Sequence, residues 1–208
     1  MKRESGVSHG QVSGAVKGST KAAIYEAALQ AFAEKGYFGA SLRDIAQRVG
    51  VEVASLYNHI SSKESLLFEI IMQVSYDLLR ELEEARDSIE GDELEVLKAV
   101  VRRHLTFSAT HARHNFVGTV ELRALTPGHY EAAVGVRGKV EEIYKQLVRE
   151  CVAAGRLPAD APVTVIAYQL IALSTSVTDW FKEGGVLTAE SVADSTVEFL
   201  ERGLALRH

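Results

Sequence analysis

The stretch that decides the fold runs from residue 41 to residue 60 and reads SLRDIAQRVGVEVASLYNHI. Its first half predicts a short helix, because Ser41 and Asp44 have the spacing of a capping box and apolar residues recur at helical intervals. Gly50 ends that helix at a position suited to a positive φ, and a second short helix is predicted over 53–59. The apolar residues available for the inside of this pair are Leu42, Ile45, Val49, Val51 and Leu56.

The spacing of Ala46, Gly50 and Leu56 is typical of a DNA-binding helix-turn-helix, in which a small residue lies where the second helix crosses the first. A purely structural corner between two helices needs the same small residue and the same glycine, so this spacing alone leaves both interpretations open. The second helix offers polar and aromatic side chains that are candidates for contacts in a major groove. These candidates are Ser55, Tyr57, Asn58 and His59.

The composition excludes several classes of protein. The 208 residues are 47% hydrophobic and 25% charged, as in ordinary globular proteins. No apolar run approaches the ~20 residues that span a membrane, and the single cysteine, Cys151, cannot form an intramolecular disulfide. Asn-Gly and Asp-Gly hairpin turns are absent from the sequence, and the three prolines all lie in its second half. We therefore expect an all-α, cytoplasmic protein that does not insert into membranes.

The charge is unevenly distributed along the chain. The net charge is −5, but residues 1–63 carry eight Lys and Arg against five Asp and Glu, which is a net +3. Residues 64–208 carry a net −8. A basic first part on an acidic remainder is compatible with one local face that binds phosphates.

We predict about nine helices in three parts. Residues 1–18 are rich in Ser and Gly and are predicted to be a flexible N-terminal arm. Residues 19–66 would form the helix-turn-helix domain, and residues 67–208 a helical body. A second capping signal at Ser62 is predicted to open a long helix. The later helical patterns run approximately over 92–113, 115–125, 128–154, 162–183 and 189–206.

Residues 20–68 resemble the DNA-binding domain of the TetR family of bacterial transcriptional regulators. The residues that carry the resemblance are Ala28, Phe32-Ala33-Glu34-Lys35-Gly36-Tyr37, Ser41-Leu42-Arg43-Asp44-Ile45-Ala46, Val49-Gly50-Val51, Leu56-Tyr57-Asn58-His59-Ile60 and Ser62-Lys63-Glu64-Ser65-Leu66. The resemblance implies a transcriptional regulator, most often a repressor, whose second helix lies in the major groove of double-stranded operator DNA. The DNA-contacting residues that we expect are Ser41, Arg43, Ser55, Tyr57, Asn58, His59 and Lys63.

The same resemblance makes the body a ligand-binding and dimerisation region. It implies a homodimer, in which the last two long helices pair with their copies and a palindromic operator is read by both copies. The residues that we expect to line a pocket are Phe107, Phe116, Leu122, Tyr130, Tyr144 and Trp180, although residues at this helical spacing more often belong to the core. Five arginines are candidate partners of an anionic ligand: Arg102, Arg103, Arg113, Arg123 and Arg137.

The tail adds a second resemblance. The tail is similar to the end of TetR-family regulators of fatty-acid, steroid or other acyl-CoA catabolism. The residues that carry this resemblance are Ser174-Thr175, Asp179-Trp180-Phe181, Gly184-Gly185, Leu187-Thr188, Leu200 and Gly203-Leu204. Members of that group release DNA when they bind a CoA thioester. The resemblance thus implies a small hydrophobic or acyl-CoA effector, and we expect no other cofactor.

Two other functions are weighed against this one. His104, His111 and His114 can share one broad helical face, and imidazoles at this spacing can chelate Zn²⁺ or Ni²⁺. The alternative function is therefore a helical protein that binds a ligand or a metal without specific DNA binding; an ordinary polar helix explains the same histidines. No catalytic motif of the hydrolase, metalloprotease, P-loop or Rossmann type is present, so we expect no enzyme.

Overall fold

The computed structural model describes residues 16–204, so the predicted arm of residues 1–18 lies almost entirely outside the described range. Within that range the chain forms nine α-helices and a 3-10 turn at Leu122–Ala124, with no strand, which confirms the all-α prediction. The helices are α1 (Val16–Gly39), α2 (Leu42–Val49), α3 (Val53–Leu56), α4 (Lys63–Asp87), α5 (Glu93–Thr110), α6 (Ala112–Val120), α7 (Pro127–Ala153), α8 (Val163–Trp180) and α9 (Ala189–Leu204). In this part of the chain, no helix has the length and apolar character needed to cross a membrane.

The helix-turn-helix forms as its sequence predicts. Ser41 caps α2 by accepting the N–H of Asp44 at 3.1 Å, and the Asp44 carboxylate accepts the Ser41 N–H at 2.8 Å, so the capping box is complete. Gly50 adopts φ 75° and ψ 34°, the left-handed conformation that glycine reaches without strain. Leu56 is fully buried beneath the turn.

The second helix is shorter than predicted. It ends at Leu56 rather than His59, because the next residues continue in tight turns. The Asn58 N–H donates to the Ser55 carbonyl at 3.3 Å, and the His59 N–H donates to the Leu56 carbonyl at 2.8 Å. Asn and His are weak helix formers, so nothing in this segment favours a further regular turn.

Helix α1 is interrupted at Gly36. The glycine has φ 71° and ψ 163°, and the helical segment continues on its far side to Gly39. A Cβ at position 36 would lie 3.3 Å from Oε1 of Glu121, a buried residue of the body. Gly36 therefore combines a positive φ with a close approach between the two parts of the chain.

Two apolar cores share helix α4. Its first half contributes Leu67 and Ile70 to the core around α1–α3, and its second half contributes Leu82 to the core of the body. The predicted domain boundary between residues 66 and 67 thus falls inside one continuous helix. Val117 of α6 is also fully buried in the N-terminal core. Helices α4 and α6 therefore both connect the two parts, and Ala133 of α7 is buried in the N-terminal core as well.

Candidate DNA-binding surface and body cavity

The candidate DNA-binding side chains lie on the outer face of the helix-turn-helix. Arg43, Ser55, Tyr57 and Asn58 are exposed, and 57% of Tyr57 is accessible although it is a large aromatic residue. Their accessibility is compatible with groove and phosphate contacts, which remain predictions. His59 is half-buried. The exposed Ser41 is committed to the cap of α2, because its hydroxyl also donates to the Asp44 carboxylate.

Lys63 has a structural partnership that the sequence did not indicate. Its Nζ donates to the carbonyl of Tyr37 at 2.9 Å and to that of Ala40 at 2.8 Å. The same ammonium lies 4.3 Å from the centre of the Tyr37 ring. Two of its three donors therefore bind the end of α1, and one donor is left for a phosphate.

Two ion pairs fix α2 against α1. Lys35 pairs with Asp44, and Arg48 pairs with Glu34. The hydrogen bond from Lys35 and those from Ser41 hold the pKa of the Asp44 carboxyl well below its usual range. These pairs help to hold the recognition segment, which comprises α3 and the turns that follow it (residues 53–59), at a constant orientation, as groove binding requires.

Polar contacts also tie the helix-turn-helix domain to the body. Arg113 Nη1 of α6 lies 3.2 Å from Oε1 of Glu26 on α1. At the start of α4, the Glu64 carboxylate accepts the Thr126 N–H at 2.9 Å and lies 2.9 Å from Nδ1 of His129. Burial opposes ionisation of Glu64, but these hydrogen bonds outweigh it and lower the pKa of the carboxyl.

A cavity of about 270 Å³ lies in the body between α4, α5, α6, α7 and α8. It is lined by Val74, Ser75, Leu78, His104, Ser108, Asn115, Gly118, Thr119, Val136, Arg137, Val140, Glu141, Ile171 and Thr175. Its wall includes α4 and α6, which also pack into the core of the helix-turn-helix domain.

The polar groups of the cavity wall are unusual for a protein interior. His104 is buried and its Nδ1 lies 2.9 Å from the Tyr144 hydroxyl; burial lowers the pKa of this histidine to about 4. Nδ2 of Asn115 is buried and has no hydrogen-bond partner among the described residues. Arg137 is partly buried, and its Nη2 donates to the Gly118 carbonyl at 2.8 Å. Burial lowers the pKa of this guanidinium as well.

The structure places none of the six predicted ligand-lining residues in the wall of this cavity. Phe107 is buried and stacks on the ring of His111, and Tyr144 is a core residue behind His104. Leu122 packs against the N-terminal core. Phe116, Tyr130 and Trp180 are each more than two-fifths exposed on the outer surface. Aromatic residues at helical spacing were thus a poor guide to the cavity, because the same pattern occurs in cores and on outer faces.

Of the five candidate arginines, one lines the cavity. Arg102, Arg103 and Arg113 pair with Asp194, Glu81 and Glu26, respectively. Arg123 is exposed within the 3-10 turn. Arg137 is the cavity residue.

The three histidines of the metal hypothesis do not form one site. His104 is bonded to Tyr144, whereas the rings of His111 and His114 lie 5.9 Å apart nearer the helix-turn-helix domain. Within residues described by the structure, no group of three or more His, Cys, Asp or Glu side chains is arranged to hold a metal ion.

Several large apolar side chains are exposed on α8 and α9. Val165, Tyr168 and Trp180 are half exposed along α8, and Phe199 is largely exposed on α9. Large apolar residues on an outer face indicate a protein–protein contact. Their position on the last two helices agrees with the predicted homodimer.

Comparisons with known proteins agree with this architecture. The sequence model of the bacterial regulatory proteins of the tetR family matches residues 24–70, and that of the tetracyclin repressor-like C-terminal domain matches residues 90–204. The HTH-type transcriptional repressor KstR2 of Rhodococcus jostii is 26% identical over 195 residues, which cover 92% of this chain and 94% of the relative.

Solved structures show the same fold. A bacterial regulatory protein in the tetR family from Rhodococcus RHA1 superposes with a TM-score of 0.81 at 25% identity, covering 91% of this chain and 98% of that one. AibR, solved in complex with isovaleryl coenzyme A and operator DNA, has a TM-score of 0.78 at 24% identity over 86% of this chain and 97% of its own. The two family models together cover the helix-turn-helix and most of the body. The chain therefore belongs to the tetR family of bacterial regulatory proteins and is a DNA-binding transcriptional regulator.

Proposed function

We propose that the protein is a homodimeric, cytoplasmic repressor that leaves a palindromic operator when a small hydrophobic or acyl-CoA-type effector enters the body cavity. One observation carries the proposal: the cavity is walled by α4 and α6, which also pack into the core of the helix-turn-helix domain. Binding energy at the cavity therefore acts directly on the elements that orient the recognition segment.

The DNA half of the proposal rests on the helix-turn-helix. In a two-fold dimer, two recognition segments must lie about 34 Å apart to enter successive major grooves. A small rotation of α4 in each copy changes that separation and removes the fit. The effector must bind the DNA-incompatible arrangement more tightly than the other, because equal affinity would shift nothing.

The effector half rests on the tail resemblance and on the relatives. AibR shares the fold and was solved with isovaleryl coenzyme A. Another relative, the fatty acid metabolism regulator protein of Bacillus subtilis, is 23% identical over 190 residues. Both point to acyl-CoA thioesters as the first compounds to test.

The test measures binding of the protein to DNA fragments from the neighbourhood of its own gene. Binding is monitored by fluorescence anisotropy at fixed salt, with and without a panel of acyl-CoA thioesters. Release of a specific complex by a thioester is the expected result. A specific complex that no thioester releases would refute the acyl-CoA effector and leave the regulator intact. Ligand binding without any specific DNA complex would favour the alternative of a sequestering protein.

A further inference from the structure

We propose that the body cavity selects an acyl group that carries a second carboxylate, which Arg137 and Asn115 bind. The inference rests on the proposed acyl-CoA effector and narrows it to one chemical class, the thioesters of short dicarboxylic acids.

The size of the cavity limits the group that can enter it. An apolar cavity of about 150 Å³ holds a benzene ring, so the 270 Å³ here accommodates roughly ten to twelve non-hydrogen atoms. A coenzyme A moiety is several times larger and must lie outside. A glutaryl group, with about eight non-hydrogen atoms, fits within this limit, whereas a long-chain fatty acyl group exceeds it.

The charge of the wall favours an anion. Arg137 and Glu141 are the two ionised residues of the lining at neutral pH, because His104 is neutral there. Glu141 is already compensated: its Oε2 accepts the Tyr168 hydroxyl at 2.9 Å and lies 3.4 Å from Nζ of Lys145. The described residues give the Arg137 guanidinium no carboxylate, and its hydrogen bond goes to a neutral carbonyl.

A partly buried guanidinium without a counterion is an unfavourable arrangement that an anionic ligand would relieve. The planar fork of arginine matches a carboxylate with two parallel hydrogen bonds, which a thioester carbonyl cannot provide. Burial already lowers the pKa of Arg137, so this site is poorly solvated. A carboxylate beside it would offset that loss of solvation.

Two further groups supply hydrogen bonds. The buried Nδ2 of Asn115 is a donor that lacks an acceptor among the described residues, and Asn115 lines the same cavity. The Ser108 hydroxyl, on a residue that is almost fully buried, also lines it. A ligand rich in acceptor oxygens satisfies both, whereas a plain alkyl chain leaves the Asn115 donor unsatisfied at a cost.

The same guanidinium connects the ligand to the DNA-binding part. Arg137 of α7 holds the Gly118 carbonyl of α6, and the adjacent Val117 is buried in the N-terminal core. A carboxylate that draws Arg137 away from Gly118 would loosen this link between α7 and α6. Selection of the acyl group and release of DNA thereby depend on one residue.

The test compares glutaryl-CoA with 5-methylhexanoyl-CoA, in which an isopropyl group replaces the carboxylate at the same chain position. Affinities for the full-length dimer are measured by titration calorimetry without DNA, with free glutarate as a third ligand. We expect glutaryl-CoA to bind about 10- to 100-fold more tightly than its neutral counterpart. This is the difference in affinity that one hydrogen-bonded pair of charged groups typically produces.

Three variants assign the preference to residues. Arg137→Gln and Asn115→Asp should abolish it, the second by replacing a donor with an acceptor of the same shape. Arg149→Gln is the matched control, because Arg149 is an exposed arginine on the same helix α7. Its loss should leave the ratio of affinities unchanged.

Equal affinities for the two thioesters in the unaltered protein would overturn the proposal even if the variants did not fold, and so would tighter binding of the neutral one. A preference that persists in Arg137→Gln would overturn the assignment to that residue. Tight binding of free glutarate would support the carboxylate site and identify the free acid as its ligand. Binding of glutaryl-CoA that fails to release operator DNA would refute the proposed function while the cavity assignment stands.

Discussion

Acidification should destabilise the fold through His104, and the size of the effect follows from the structure. Burial lowers the pKa of this histidine from its ordinary value of 6.5 to about 4 in the folded state. Between these two values the unfolded chain binds the extra proton, so the free energy of unfolding falls as the pH is lowered through this window. From pH 7.5 to pH 5.0, the loss amounts to about 2 kcal/mol per chain.

The measurement is urea denaturation at several pH values and one fixed protein concentration, because dimer stability depends on concentration. His104→Gln removes the titration and retains an amide that can bond the Tyr144 hydroxyl. Between pH 7.5 and 5.0, the free energy of unfolding of the unaltered protein should fall by about 2 kcal/mol more than that of this variant. His59→Gln, a substitution in the helix-turn-helix domain, is the control for the loss of a histidine elsewhere in the chain. Parallel curves for the unaltered protein and His104→Gln would refute the reasoning.

Three other substitutions test the helix-turn-helix domain. Lys63→Ala should lower the salt slope of DNA binding by about one, and the loss of its hydrogen bonds to Tyr37 and Ala40 should lower the free energy of unfolding, measured by urea denaturation, by about 1–3 kcal/mol. An unchanged salt slope would show that Lys63 has only a structural role. Tyr57→Ala should weaken operator binding in anisotropy titrations and leave the dimer intact in analytical ultracentrifugation, since Tyr57 is exposed; dissociation of the dimer would show a packing role instead. Gly50→Ala should lower the free energy of unfolding by about 1–2 kcal/mol because of the φ of 75° at this position, whereas Gly135→Ala, on the exposed face of α7, should raise it by up to about 1 kcal/mol. Equal changes in the two variants would contradict the strain argument.

The parts of the fold that could be predicted from the sequence are those that depend on local signals. The cap at Ser41, the glycine at position 50 and the apolar spacing around them act within a few residues, so the sequence alone located α2 and the turn. The length of α3 was overestimated, because the transition from helix to tight turns depends on weak propensities at Asn58 and His59. Element boundaries of this kind are decided by small free-energy differences.

The cavity could not be located in the same way, because five helices contribute to its wall. One signal was nevertheless present. His104 and Ser108 lie four residues apart on the otherwise apolar buried face of α5, which also carries Leu97, Val101 and Leu105. Polar residues at two successive turns of a buried stripe indicate a polar interior site more directly than aromatic residues do.

The energetics of release connect the cavity to the need for a dimer. Moving a two-state equilibrium from 99:1 to 1:99 requires about 5.5 kcal/mol of differential binding. One hydrogen-bonded pair between Arg137 and a carboxylate contributes about 1.5–3 kcal/mol, which is too little in a single chain. Two cavities in a two-fold dimer contribute about 3–6 kcal/mol, because both act on the same pair of recognition segments. A regulator with one critical cation per cavity therefore approaches a full switch only when both copies are occupied and each pair contributes close to 3 kcal/mol. Half-occupied dimers should retain part of their affinity for the operator.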